Sequence, residues 1–134
     1  LQAILYEFFN IIDRYFTVPI QTDMNSKVQI FRRFIELLGL CNGRMRAVTN
    51  FANELCITPK YLSSVVKICS GKTPLEWIHL YTTNVIVQQL RYTDKSIKDI
   101  SNSLGFPSQA FFGKFVKSRL GMSPKKYRDH FHNE

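Results

Sequence analysis

Val66-Lys67-Ile68-Cys69-Ser70-Gly71-Lys72-Thr73-Pro74-Leu75-Glu76-Trp77 and, fifty residues on, Val116-Lys117-Ser118-Arg119-Leu120-Gly121-Met122-Ser123-Pro124-Lys125-Lys126-Tyr127 are two copies of one pattern. Each has Val-Lys, a glycine four residues after the lysine, a hydroxyl residue before proline, and an aromatic ring three residues past that proline. A repeated pattern means that one structural unit occurs twice. Upstream the match continues at an offset of 49, with Val48, Phe51, Ala52, Leu55, Cys56 and Ile57 against Ile97, Ile100, Ser101, Leu104, Gly105 and Phe106. The offset slips by one residue at the turn.

Each copy reads as a short helix with apolar residues at i, i+3 and i+7, a turn, and a second helix. The second helix buries Leu62, Val65 and Val66 in one copy and Phe112, Phe115 and Val116 in the other. That is helix-turn-helix anatomy. Small Ala52 or Ser101 in the first helix lets the second cross closely, and Gly105 readily takes the left-handed conformation that ends a helix sharply. Cys56 departs from glycine at the equivalent place and weakens the first turn signal. Between the copies, residues 74–92 form one long helix that starts at Pro74 and carries Ile78, Tyr81 and Val85 on one face. Thr58 before Pro59, Thr73 before Pro74, Ser96 with Asp99 three later, and Ser123 before Pro124 are N-cap and first-turn residues. No stretch has the period-2 alternation of a strand, so the fold class is all-α. The architecture is two helix-turn-helix units, about 48–68 and 96–118, joined by a long linker helix at 74–92, with a helical pair before them.

Of that pair, the first helix spans residues 2–17, with Ile4, Leu5, Phe8, Phe9, Ile12, Tyr15 and Phe16 on one broad stripe. In the second, Ser26 is the expected cap, Val28, Phe31, Phe34, Ile35 and Leu38 form the apolar face, and the end lies near Gly39 and the Asn42-Gly43 turn signal. Phe8, Ile12 and Phe16 could pair with a second copy, but packing against residues 28–38 is the simpler arrangement. The chain opens at Leu1 without a signal segment, already in helical pattern, and reads as a fragment of a longer protein.

The formal net charge of +8 is unevenly placed. Residues 1–43 balance to zero, whereas residues 44–134 hold fourteen basic against six acidic side chains. A basic excess confined to one region fits a densely anionic partner, nucleic acid first and anionic membrane second; a basic face kept for solubility is the plain alternative. A 45% hydrophobic chain with no apolar run near the roughly 18 residues of a span excludes a transmembrane protein. Cys41, Cys56 and Cys69 lack C-x-x-C spacing, so they read as reduced thiols of a cytoplasmic protein, two of them in the core. His79, His130 and His132 have no partner ligands at metal spacing, no phosphate-cradling or nucleophile motif occurs, and neither a cofactor, a metal nor an enzyme is expected. Trp77 and Tyr127, at equivalent positions, read as core.

Ile97-x-x-Ile100-x-x-x-x-Gly105-Phe106-x-Ser108-x-x-x-Phe112-x-x-x-Val116-Lys117-x-x-x-Gly121-x-Ser123-Pro124-x-x-Tyr127-Arg128 resembles the signature of the AraC/XylS family of bacterial transcription regulators. The resemblance covers residues 48 to about 131. Cys56-Ile57-Thr58-Pro59-Lys60-Tyr61-Leu62-Ser63 and Phe111-Phe112-Gly113-Lys114 further resemble members from Bacteroidetes-type bacteria. Ser101 stands where alanine is usual and Val116 where phenylalanine is usual. The resemblance implies a two-reader DNA-binding domain at 44–134, joined to an upstream sensor domain that binds a small ligand or mediates dimerisation. Residues 1–43 then read as the helical tail of that missing sensor or its connection to the reader, and the sensor could also join two copies as a homodimer.

On the face of each second helix opposite the apolar one stand Lys60, Ser63, Ser64 and Lys67, and Gln109, Ala110, Gly113, Lys114 and Lys117. At spacings of three and four they point outward together. Lysine can donate to guanine, glutamine can pair bidentately with adenine, and serine can serve either, which is the chemistry of major-groove readout. Lys60, Ser63, Ser64, Gln109, Ala110, Gly113 and Lys114 match the family's base-reading positions; a merely solvated face is the alternative. Arg46, Lys67, Lys72, Arg91, Lys98, Lys117 and Arg119 are candidate phosphate contacts, with Ser96 and Ser123 offering capped helix N-termini. Double-stranded DNA is thus the expected partner. In a competing reading one unit reads DNA while the other meets a protein such as RNA polymerase, and a general anionic-surface binder is a third.

Overall fold

Hydroxyl side chains open five helices in the computed structural model, which describes residues 22–132. Thr58 Oγ1 accepts from Tyr61 N at 3.1 Å, Thr73 Oγ1 from Glu76 N at 3.2 Å, Ser96 Oγ from Asp99 N at 3.0 Å, Ser108 Oγ from Phe111 N at 3.0 Å and Ser123 Oγ from Lys126 N at 3.2 Å. Each bond satisfies one of the N–H groups that a helix start leaves without an intrahelical partner. Ser108 was not among the expected caps, although it is the repeat equivalent of Thr58. The helices are α1 (Thr22–Cys41), α2 (Val48–Glu54), α3 (Pro59–Ser70), α4 (Pro74–Tyr92), α5 (Ile97–Ser103), α6 (Gln109–Leu120) and α7 (Pro124–His132). Among the described residues there is no strand, and the chain is all-α with two helix-turn-helix units in tandem.

The turn inside each unit has the same backbone. Cys56 N donates to Asn53 O and Ile57 N to Ala52 O; Gly105 N donates to Asn102 O and Phe106 N to Ser101 O. Cys56 sits at φ 57° and Gly105 at φ 69°, both left-handed. The cysteine therefore adopts the conformation that glycine takes in the second copy. Ala52 and Ser101 are buried where the two helices of each unit cross. The slip in the repeat is one extra turn residue: Leu55–Thr58 separates α2 from α3, whereas Leu104–Ser108 separates α5 from α6.

Two hydrophobic cores form. Phe51, Leu62, Val65, Val66 and Cys69 of the first unit, with Trp77 and Ile78 of α4, share theirs with Val28, Phe31, Phe34, Ile35 and Leu38 of α1. Val85, Ile86, Val87, Leu90, Ile100, Leu104, Phe106, Phe112, Val116 and Tyr127 make the second. The linker helix α4 feeds both, with Tyr81 packed against each. Its buried face is wider than Ile78, Tyr81 and Val85, because it is covered from both sides. Phe115 is half-buried, packing at the edge of the second core.

One expectation about α1 needs correction: Ser26 lies inside the helix, which already runs from Thr22. The end comes at Cys41, followed by Asn42 and Gly43 at φ 51° and 81°. Of the thiols, Cys69 is buried, Cys41 half-buried and Cys56 exposed, so only one is fully in a core. The expected helix at residues 2–17, and pairing through it, lie outside the described residues.

The repeat substitutes in pairs. Trp77 is buried and donates through Nε1 to Ser70 Oγ at 2.8 Å, while Ser70 Oγ donates to Val66 O at 2.7 Å. At the equivalent places stand Tyr127 and Leu120, and the buried Tyr127 hydroxyl has no hydrogen-bond partner among the described residues. Burial pushes its pKa up.

Candidate nucleic-acid interface

In both units the second helix starts at a capped hydroxyl and ends at a left-handed glycine. Gly71 N donates to Lys67 O at 2.8 Å with φ 75°, and Gly121 N to Lys117 O at 2.9 Å with φ 79°. These bonds satisfy C-terminal carbonyls and stop α3 and α6 at the same length, 12 residues each. The apolar face of each is held in a core, so the opposite face is presented rigidly. On α3 that face exposes Lys60, Ser64 and Lys67, with Ser63 half-buried. On α6 it exposes Gln109, Ala110, Lys114 and Lys117, with Gly113 half-buried. The structure thus brings the expected base-reading residues together on two matched helix faces.

Two aromatic rings on these helices were not singled out from the sequence. Tyr61 is 41% and Phe111 54% exposed, at repeat-equivalent positions three residues past the cap. Their shared place after Thr58 and Ser108 was the available signal. Gly113 has open space around it: a Cβ built there meets nothing within 4 Å. No packing within the protein therefore calls for glycine.

The expected phosphate contacts divide. Lys67, Lys98, Lys117, Arg119 and the cap Ser96 are exposed, and Lys72 and Ser123 are half-buried. Arg91 stacks its guanidinium 4.2 Å from the Phe131 ring centre and 5.3 Å from that of Tyr92, holding its charge over aromatic faces. Arg46, also expected at a phosphate, is half-buried and bonded within the protein. Its Nη1 donates to Gly43 O at 2.9 Å and Leu104 O at 2.6 Å, its Nη2 to Gly105 O at 3.0 Å, and the guanidinium lies 3.8 Å from the Phe106 ring centre. The carbonyls draw it inward, and burial, only partly opposed by Cys41, lowers its pKa.

Arg128 is also structural. Its Nε donates to Leu90 O at 3.0 Å, its Nη2 to Gln89 O at 3.2 Å and Thr93 O at 3.3 Å, and its Nη1 to Lys95 O. Helix α4 ends at Thr93 in an extended conformation instead of a left-handed glycine, so this side chain supplies the cap. His79 on α4 packs edge-on against Phe115 at 5.6 Å, and burial, then the charge of Arg119, pushes its pKa down.

A family profile described as a helix-turn-helix domain matches residues 51–130, more than half of the chain. The chain belongs to the AraC-type helix-turn-helix family. Among its relatives, the HTH-type transcriptional regulator AlkR of Acinetobacter baylyi is 26% identical over 81 residues, which cover 60% of this chain and 26% of AlkR. A putative AraC-like transcription regulator of Streptomyces lividans is 28% identical over 87 residues, 65% of this chain and 29% of the relative. The chain thus spans less than a third of the length of these curated relatives. An AraC-type regulator structure from Chromobacterium violaceum superposes with a TM-score of 0.64 at 19% identity, covering 77% of this chain and 92% of that one. The DNA-binding domain of AdpA, solved in complex with a target DNA, gives 0.64 at 18% identity, covering 75% and 94%. These two likenesses show the fold.

Proposed function

We propose that this chain binds double-stranded DNA sequence-specifically within a regulator of transcription, α3 and α6 entering successive major grooves on one side of the duplex. The observation that carries the reading is the duplication itself. Two helices of equal length, capped alike at both ends, present matched polar faces from one continuous linker helix. Lys60, Ser63 and Ser64 read one block of bases, and Gln109, Ala110, Gly113 and Lys114 the other. Lys67, Lys72, Lys98, Lys117, Arg119 and the helix starts at Ser96 and Ser123 hold phosphates, with Arg91 at the edge of that surface. The DNA complex of AdpA, which shares this fold, supports the reading. An upstream sensor, joined through residues 1–43, supplies effector binding or a homodimer contact, in the cytoplasm of a bacterial cell.

A second reading is favoured by apolar exposure on the first unit. Ile68 is 52% and Leu75 45% exposed, which suits a protein contact such as RNA polymerase beside or instead of base reading by α3. Selection of random duplexes on the purified chain separates the two. Recovery of an asymmetric site with two conserved blocks about one helical turn, roughly 34 Å, apart supports two readers. One block, lost on mutating Lys114 but not Lys60 and Ser64, favours the second reading. Absence of enrichment over heparin-competed binding would refute both.

A further inference from the structure

We propose that Arg46 is a positioning residue that fixes the spacing between the two readers, so that the DNA target is selected for the distance between its blocks as well as their content. This inference rests on the two-reader proposal above. The two units have separate cores, and α4 alone would leave their relative angle to the bending and twisting of a single helix. Arg46 lies just before α2, the opening helix of the first unit, yet its guanidinium binds Leu104 O and Gly105 O, 58 and 59 residues on, in the turn of the second unit. These carbonyls follow the end of α5, where a helix presents partial negative charge and oxygens without intrahelical partners. A planar fork suits two adjacent carbonyl oxygens, and a point-like ammonium does not.

The line continues past the carbonyls. The guanidinium stacks on Phe106, which packs against Phe112 at 5.0 Å and Phe115 at 5.5 Å, both on the second reading helix. On the other side Gly43, whose carbonyl also accepts from Arg46, would bring a Cβ to 3.5 Å from Leu104 Cδ2 and 3.6 Å from Val85, so the backbone beside Arg46 is itself laid against the second unit. A displacement of the first unit is thereby transmitted to α6 through Arg46 and Phe106, beside the packing of Gly43 on the second unit.

The test uses the full chain and duplexes carrying its selected two-block site with zero, one or two base pairs inserted or removed between the blocks. Each step rotates the second block by about 34° and shifts it by about 3.4 Å. Wild type should show a single optimum with at least a roughly tenfold loss per step, comparable to a mismatched base pair. Arg46→Lys keeps the charge and loses the fork. It should flatten the profile to about threefold per step, with an unchanged salt slope. Phe106→Leu, which removes the ring beneath the guanidinium while keeping an aliphatic side chain in the second core, should flatten it in the same direction, with circular dichroism confirming that each variant is folded. An Arg46→Lys or Phe106→Leu profile as sharp as wild type overturns the inference. So does a uniform loss at every spacing for Arg46→Ala with a salt slope smaller by about one, since that marks a phosphate contact. Wild type indifferent to scrambling of either block overturns the two-reader proposal, and this inference with it.

Discussion

Replacing Arg128 with alanine should destabilise the domain by about 2–3 kcal/mol, because one guanidinium caps the end of the linker helix with four hydrogen bonds. Gln89 O keeps a second donor, Thr93 Oγ1 at 2.6 Å, so its loss costs little. Leu90 O, Thr93 O and Lys95 O each lose the Arg128 bond. Charge-assisted bonds run about 1.5–3 kcal/mol singly, but three acceptors share one ordered side chain and water reaches the exposed part, so the sum is well below additive. Removing a cation from a helix C-terminus adds about 0.3–1 kcal/mol. For a chain of this size the change corresponds to a fall in Tm of about 6–9 °C. Urea unfolding followed by circular dichroism measures it, with an unchanged denaturant slope showing that the unfolded state is unaltered. Arg128→Lys should recover less than half, since an ammonium cannot span carbonyls on both sides of the helix end. An alanine variant within about 0.5 kcal/mol of wild type would refute the capping argument, and full rescue by lysine would assign the effect to charge at the helix end instead.

Gly113→Ala should raise stability by about 1 kcal/mol, the helix-propensity difference, because the added methyl meets open space; DNA affinity should fall, and unchanged affinity would show that the glycine serves no close approach to DNA. Cys56→Gly should stabilise by about 0.5–1 kcal/mol, the relief of a left-handed non-glycine less the backbone entropy glycine adds to the unfolded chain, measured by thermal melting. His79, with its folded pKa below its unfolded value, contributes fully above about pH 6.5 and loses that contribution as the pH falls from there through the lower folded value. In unfolding experiments between pH 7 and 5, His79→Gln should therefore flatten the decline, and a variant with the wild-type pH slope would contradict this.

The helix-turn-helix architecture was legible because the repeat aligned signals that are weak singly. Thr58, Thr73, Ser96 and Ser123 are each an ordinary cap, but their recurrence beside proline or acid, at matched distances from Val66-Lys67 and Val116-Lys117, fixed the register. The outward faces of α3 and α6 followed from the helical period once Leu62, Val65, Phe112 and Val116 were placed inside. Partnerships across the chain were not legible. Arg46 and Arg128 are two of fourteen basic side chains in residues 44–134, and what commits them is the nearness of backbone carbonyls belonging to distant residues. Carbonyls leave no mark in a sequence. Ser26 misled for a related reason, since a hydroxyl residue before an apolar run signals a helix start only if the preceding residues do not extend the helix.

In the proposed two-reader mode, the linker helix also makes the chain a bivalent ligand. When one reader lifts off, the other keeps it near its block at an effective concentration far above that of free protein, and such coupling can raise overall affinity by about 10²–10⁴ over either site alone. A connector held rigid by α4 together with the Arg46 contacts grants this only to blocks at the right distance and rotation. Isolated half-sites, which chance supplies in abundance along a genome, would be left within a short residence time, while the paired site would hold the protein through repeated partial release. Discrimination would then rest largely on dissociation rates.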